Sequence, residues 1–196
     1  MPQRVAVIGT GLIGGSVGLA LARRGYEVAG FDRDAARLRR AAELGAVTVA
    51  ASDLAGAFAG ADLAVVAVPV GHIADVAGAA LDAGVPLVTD VGSVKAPIVA
   101  ALEARPDRAH RFVGGHPMAG SEQDGVDGAD ADLFVGATWV LTPTANTDED
   151  AYTQIRLLVR DFGAEVVGHA ESRRASDDVG HRHRPDEHDP LRARPS

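Results

Sequence analysis

Apolar positions in this chain fall into short runs that alternate with longer stretches of helical spacing. Residues 5–8 are a β-branched run that ends in glycine, and residues 12–24 then carry small and apolar side chains three and four apart. This pattern predicts strand, tight turn, helix. It repeats as a strand over 27–31, a helix over 34–44, a strand over 47–49, a short helix near 54–58 and a strand over 63–68. Farther on it predicts a helix over 73–81, a buried strand over 86–91, a helix over 94–103, strands over 111–113 and 138–142, a helix over 152–162 and a last strand over 164–167. Short strands alternating with helices imply right-handed crossovers. The fold class expected is therefore α/β: a Rossmann-type, doubly wound, mostly parallel sheet with helices on both faces.

Two segments break the alternation. Residues 114–137 are rich in glycine and aspartate without a clear period, a length that connections rarely reach unless they are functional, so they are expected to belong to an active site. Residues 168–196 hold only Val179 and Leu191 as strongly apolar side chains, against six arginines, six acids and four histidines. Such a segment buries too little surface to offset its ordering entropy. The expected organisation is one dinucleotide-binding domain over 1–167 and a disordered polar tail over 168–196. His181, His183 and His188 in that tail have no fixed geometry for a metal, and no metal site is expected.

Composition narrows the function classes. With 46% apolar residues the 196-residue chain can bury one sizeable core. A net charge of −8 repels phosphate backbones and anionic membranes, so neither nucleic acid nor a membrane is an expected partner. No apolar run is long enough to span a bilayer, the N-terminus does not read as a signal peptide, and the absence of cysteine excludes disulfides and thiolate chemistry, so a cytoplasmic location is expected. Eighteen of the nineteen basic residues are arginine; the exception is Lys95, which suggests a position where arginine will not serve.

Gly9-Thr10-Gly11-Leu12-Ile13-Gly14 is a G-x-G-x-x-G turn between a predicted strand and helix, the context that a dinucleotide site requires. Gly9 permits the turn, Gly11 lets the backbone approach a pyrophosphate, and Gly14 lets helix pack on strand. The phosphates would then lie on free N–H groups at the positive end of the helix. Asp32 ends the second strand, 18 residues past Gly14, where a carboxylate can accept from the ribose hydroxyls. Asp32 argues for NAD because it would repel a 2′-phosphate, whereas Arg33 beside it could pair with one and admit NADP. Val68 and Pro69 end another strand at the same edge, where the proline serves equally well as a strand stop.

Two further strand ends point to that edge: one carries Asp90-Val91-Gly92-Ser93-Val94-Lys95, the other Gly114-Gly115-His116-Pro117-Met118-Ala119-Gly120-Ser121-Glu122. His116 between glycines and proline reads as a loop residue and not a core histidine. Ser93 serves equally as a helix N-cap, and Lys95 as a solvated charge.

G-T-G-L-I-G-G-S, D-V-G-S-V-K and G-G-H-P-M-A-G-S-E, in that order, resemble the prephenate dehydrogenase family over residues 4 to about 167. The resemblance implies NAD(P)-dependent oxidative decarboxylation of prephenate to 4-hydroxyphenylpyruvate, or of arogenate to tyrosine, in tyrosine biosynthesis. It implies that His116 accepts a hydrogen bond from the substrate hydroxyl, as an uncharged imidazole near neutral pH can. It implies too that Ser93 orients substrate and nicotinamide, and that Ser121 and Glu122 line the substrate side. The family is homodimeric through a helical domain after the last strand; nothing resembling it follows Val167, so the chain reads as a truncated or frameshifted product of weak or no activity. The alternatives are a non-catalytic or partner-dependent nicotinamide-binding module, and another reductase of the β-hydroxyacid dehydrogenase type.

Overall fold

The computed structural model describes residues 3–123 and 125–168. In chain order these form β1 (Arg4–Ile8), α1 (Leu12–Arg23), β2 (Glu27–Phe31), α2 (Ala35–Glu43), β3 (Val49–Ala50), α3 (Leu54–Phe58), β4 (Leu63–Val66), α4 (Val70–Asp82), β5 (Leu87–Asp90), α5 (Ala96–Glu103), α6 (Pro106–Ala109), β6 (Phe112–Met118), a 3-10 turn (Val126–Gly128), β7 (Thr138–Thr142), α7 (Glu149–Asp161) and β8 (Glu165–Gly168). The expected tail and its histidines lie outside the described residues, save Gly168, which closes β8.

The strands make one sheet in the order β3-β2-β1-β4-β5-β6-β7-β8. It is parallel from β3 through β6; β7 then runs antiparallel to β6, and β8 parallel to β7. The fold is the doubly wound Rossmann type read from the pattern. Successive residues of β1 show why its strands lack a polar face: Val5 and Val7 enter one core, Ala6 and Ile8 the other. A side-chain period of two with both faces covered by helices gives a continuous apolar run. Helix starts follow local chemistry, as where the Asp34 carboxylate accepts from the Ala36 and Arg37 N–H groups at 2.9 and 3.2 Å to open α2.

The clearest departure from the sequence reading is β6, which extends to Met118 and makes His116 a strand residue. Gly114 and Gly115 look like breakers, yet here glycine permits close approach: a Cβ on Gly115 would lie 2.6 Å from the Asp90 carbonyl oxygen and 2.9 Å from Trp139 Nε1. Pro117 is tolerated for a different reason. The Gly115 N–H points toward β5, so the N–H that Pro117 lacks would point the same way, beyond the last β5–β6 pair, Thr89 with Val113. A second departure concerns α5, which begins at Ala96 after Lys95, so that Ser93 is not its N-cap.

Candidate active site

The chain leaves β1 in one direction toward β2 and β3, and returns on the other side as β4 and β5. At the carboxyl ends of these strands lies a crevice of about 750 Å³, the place where a sheet of this winding holds its ligands. Gly9, Gly11, Leu12, Ile13 and Gly14 line it from the first turn, Asp32, Arg33 and Arg37 from β2 and α2, Val68 and Pro69 from β4, Gly92 and Ser93 from β5, and His116 from β6.

The glycine turn has the shape that a pyrophosphate needs. Gly9 sits at φ +92°, and a Cβ on Gly14 would fall 1.8 Å from the Gly9 carbonyl oxygen, so this packing of turn against helix excludes any side chain there. Gly11 caps α1 without a side-chain hydrogen bond, and a Cβ on it would meet nothing within 4 Å. Gly11, Leu12 and Ile13 at this helix start thus border the open crevice, with the positive end of a 12-residue helix behind them.

Asp32 is held from two sides. Its Oδ2 accepts from the Thr10 N–H at 2.8 Å and from the Thr10 hydroxyl at 3.1 Å, and its Oδ1 accepts from the Asp34 N–H at 2.9 Å. Arg37 stands 3.7 Å from the same carboxylate. Arg33 is exposed at the rim. The sequence reading singled out neither Thr10 nor Arg37; Arg37 sits one helical turn past the Asp34 cap, a spacing that could have drawn notice.

At the other end of the crevice, half-buried His116 and exposed Ser93 make no side-chain hydrogen bond with any described residue. Behind them lies a buried ion pair. Asp90 has no exposed surface, and its Oδ2 accepts from the Lys95 ammonium and, at 2.9 Å, from the Gly92 N–H. Its Oδ1 accepts from the Gly115 N–H at 3.1 Å. Lys95, 14% exposed, is thus no solvated charge. Burial pushes the Asp90 carboxyl above its ordinary value and the Lys95 ammonium below its own, and in each case the partner's charge opposes the shift.

Ser121 and Glu122 are exposed on the loop after β6, outside the crevice lining. Of the segment expected to be an active-site loop, His116, Pro117 and Ala119 line the crevice. Later residues turn back over α1, where buried Ser16 donates to the Leu12 carbonyl at 2.8 Å and accepts from the Asp130 N–H at 3.0 Å. Ion pairs from Arg40 to Asp127 and from Arg23 to Asp132, both 2.7 Å, hold that segment against α1 and α2.

Residues 17–168 match the family model described as prephenate dehydrogenase, nucleotide-binding domain. The chain belongs to the prephenate dehydrogenase family. Prephenate dehydrogenase of Bacillus subtilis strain 168 is 33% identical over 172 residues, which cover 85% of this chain and 46% of the relative. The crystal structure of Aquifex aeolicus prephenate dehydrogenase in complex with hydroxyphenyl propionate and NAD+ superposes with a TM-score of 0.78 at 31% identity, covering 86% of this chain and 60% of that one. Synechocystis arogenate dehydrogenase follows with a TM-score of 0.72 at 32% identity, over 84% of this chain and 59% of that one. The chain thus spans about half the length of the curated prephenate dehydrogenases it matches.

Proposed function

We propose that residues 1–167 bind NAD and form the hydride-transfer half of a prephenate or arogenate dehydrogenase. What supports this most is one arrangement: a single crevice runs from the open N-terminus of α1 and the Asp32 carboxylate to Ser93 and His116. A dinucleotide laid with its pyrophosphate on the Gly11 turn and its adenosine ribose at Asp32 has its nicotinamide at the Ser93 and His116 end. The Aquifex relative, whose structure carries NAD+ with a hydroxyphenyl ligand, shares this fold.

In this reading the bound nicotinamide supplies the hydride acceptor. His116 accepts the proton of the substrate hydroxyl as the carbon that bears it is oxidised, and Ser93 donates to the same oxygen and so orients it. Loss of carbon dioxide aromatises the ring, which supplies much of the driving force and leaves positioning as the protein's main task. Ser121 and Glu122 would act at the outer, substrate side. Homodimer formation and the grip on the substrate's carboxylates fall, in this reading, to parts of the relatives that the chain does not span. Among the described residues no helix is long and apolar enough to cross a membrane; we assign the protein to the cytoplasm.

The test is turnover. Purified chain with NAD is given prephenate, then arogenate, and reduced nicotinamide is followed by absorbance. Because the grip on the substrate's carboxylates lies in parts that the chain does not span, the reading expects weak turnover with one substrate, which His116→Asn abolishes while cofactor affinity stays within about twofold. Turnover that survives this substitution would remove His116 from the role.

A further inference from the structure

The β5–β6 ladder ends at the pair Thr89 and Val113, just short of the crevice. Beyond it the paired register stops, although the segments stay close: one runs on to Gly92 and Ser93, the other to Gly115 and His116. Where the register stops stands Asp90, the last residue of β5 and fully buried. Its two oxygens do what backbone pairing does farther down: Oδ2 accepts from the Gly92 N–H at 2.9 Å and Oδ1 from the Gly115 N–H at 3.1 Å. Each of these glycines is the immediate neighbour of a residue assigned above to the nicotinamide end. We propose that Asp90 is a positioning residue whose carboxylate fixes the distance and register between the Ser93 loop and the His116 strand; the proposal rests on the cofactor reading given above.

The chemistry of the group fits the task. Only an ionised carboxylate offers acceptors on both oxygens and no donor; an asparagine would turn an N–H₂ toward one of the two glycine N–H groups. A buried carboxylate needs a counter-charge, and Lys95 supplies it from the first residue before α5. The fit also accounts for lysine in a chain otherwise furnished with arginine: the Lys95 Cδ lies 3.2 Å from where a Cβ on Gly114 would sit, a slot suited to an alkyl stem with a compact ammonium and not to a planar guanidinium. An apolar pair of similar volume would serve the core as well. It would not accept two N–H groups from two separate segments.

The test separates positioning from stability. Asp90→Asn/Lys95→Met removes both charges together, so no buried charge is left unpaired and the fold persists by thermal denaturation. Affinities for NAD and for ADP-ribose, which lacks the nicotinamide, are then measured by calorimetry on the wild-type and double-variant chains. The expected result is that ADP-ribose binds within about twofold of wild type while NAD weakens about tenfold relative to it, the scale of a lost charge-assisted hydrogen bond. A lower melting temperature with an unchanged NAD to ADP-ribose ratio makes the pair merely structural and overturns the proposal. Failure of the wild-type chain to bind either ligand overturns the cofactor reading itself, and the proposal with it. If the double variant does not fold, amide hydrogen exchange in the wild-type chain decides: Gly92 and Gly115 should both be protected well beyond Ser93 and Val94, and free exchange of either contradicts the brace.

Discussion

Thr10 and Asp32 meet across the mouth of the glycine turn, where one carboxylate oxygen accepts from both the N–H and the hydroxyl of the threonine, at 2.8 and 3.1 Å. The contact joins the end of β2 to the loop between β1 and α1, so the residue proposed to hold the ribose also shapes the loop proposed to hold the pyrophosphate.

Replacement of Asp32 by alanine is therefore expected to act twice. The part-buried Thr10 N–H loses its acceptor, which costs about 1–3 kcal/mol of stability in chemical denaturation. The substitution also removes the charge that opposes a 2′-phosphate and releases Arg37, 3.7 Å away, beside Arg33. NAD affinity should fall while the preference shifts toward NADP by about tenfold, read as the ratio of the two Kd values. An unchanged ratio would show that Asp32 does not read the ribose.

Gly14→Ala is expected to prevent the native turn. Its Cβ would be placed 1.8 Å from the Gly9 carbonyl oxygen, and Gly9 is itself tied to Phe31 by an N–H···O bond of 2.8 Å, so the backbone cannot move aside alone. The loss should be about 3 kcal/mol or more by urea denaturation, at the upper end for overpacking. A variant as stable as wild type would mean that the turn is not packed in this way.

Lys95→Met should make stability depend more steeply on pH. Burial already raises the Asp90 carboxyl, and loss of Lys95 removes the attraction that opposes the rise. A carboxyl raised in the folded state contributes stability below its unfolded pKa and loses it as pH rises through the folded value. The variant's deficit against wild type should thus be small near about pH 4 and reach about 3 kcal/mol by about pH 7. Equal deficits at the two pH values would show that Asp90 does not carry the charge assigned to it.

Much of this was legible locally. The spacing of Gly9, Gly11 and Gly14 after a β-branched run, and of Asp32 after the next strand, depends on neighbours within one βαβ unit. So does the alternation that specifies the sheet. What sequence could not disclose depends on residues far apart. The strand character of Gly114–Gly115–His116 is set by pairing with β7 and by Asp90 and Trp139, which Gly115 must pass closely, and locally the same residues read as a loop. Asp90 stands in the D-V-G-S-V-K stretch that the sequence brings forward, but its second oxygen serves Gly115, 25 residues later. The long segment before β7 looked like an active-site loop because its aspartates lack a period. Three-dimensional partners on α1 and α2 take up Asp127 and Asp132 instead.

The most direct measurement is a calorimetric titration of the wild-type chain and of Gly11→Asp with NAD. The aspartate would meet no atom of the protein at its Cβ, so the fold should persist while its charge stands where the pyrophosphate is expected. Saturable one-to-one binding to wild type, abolished in the variant, is the predicted result. No binding to wild type, or equal binding to both, would contradict a dinucleotide held at the N-terminus of α1.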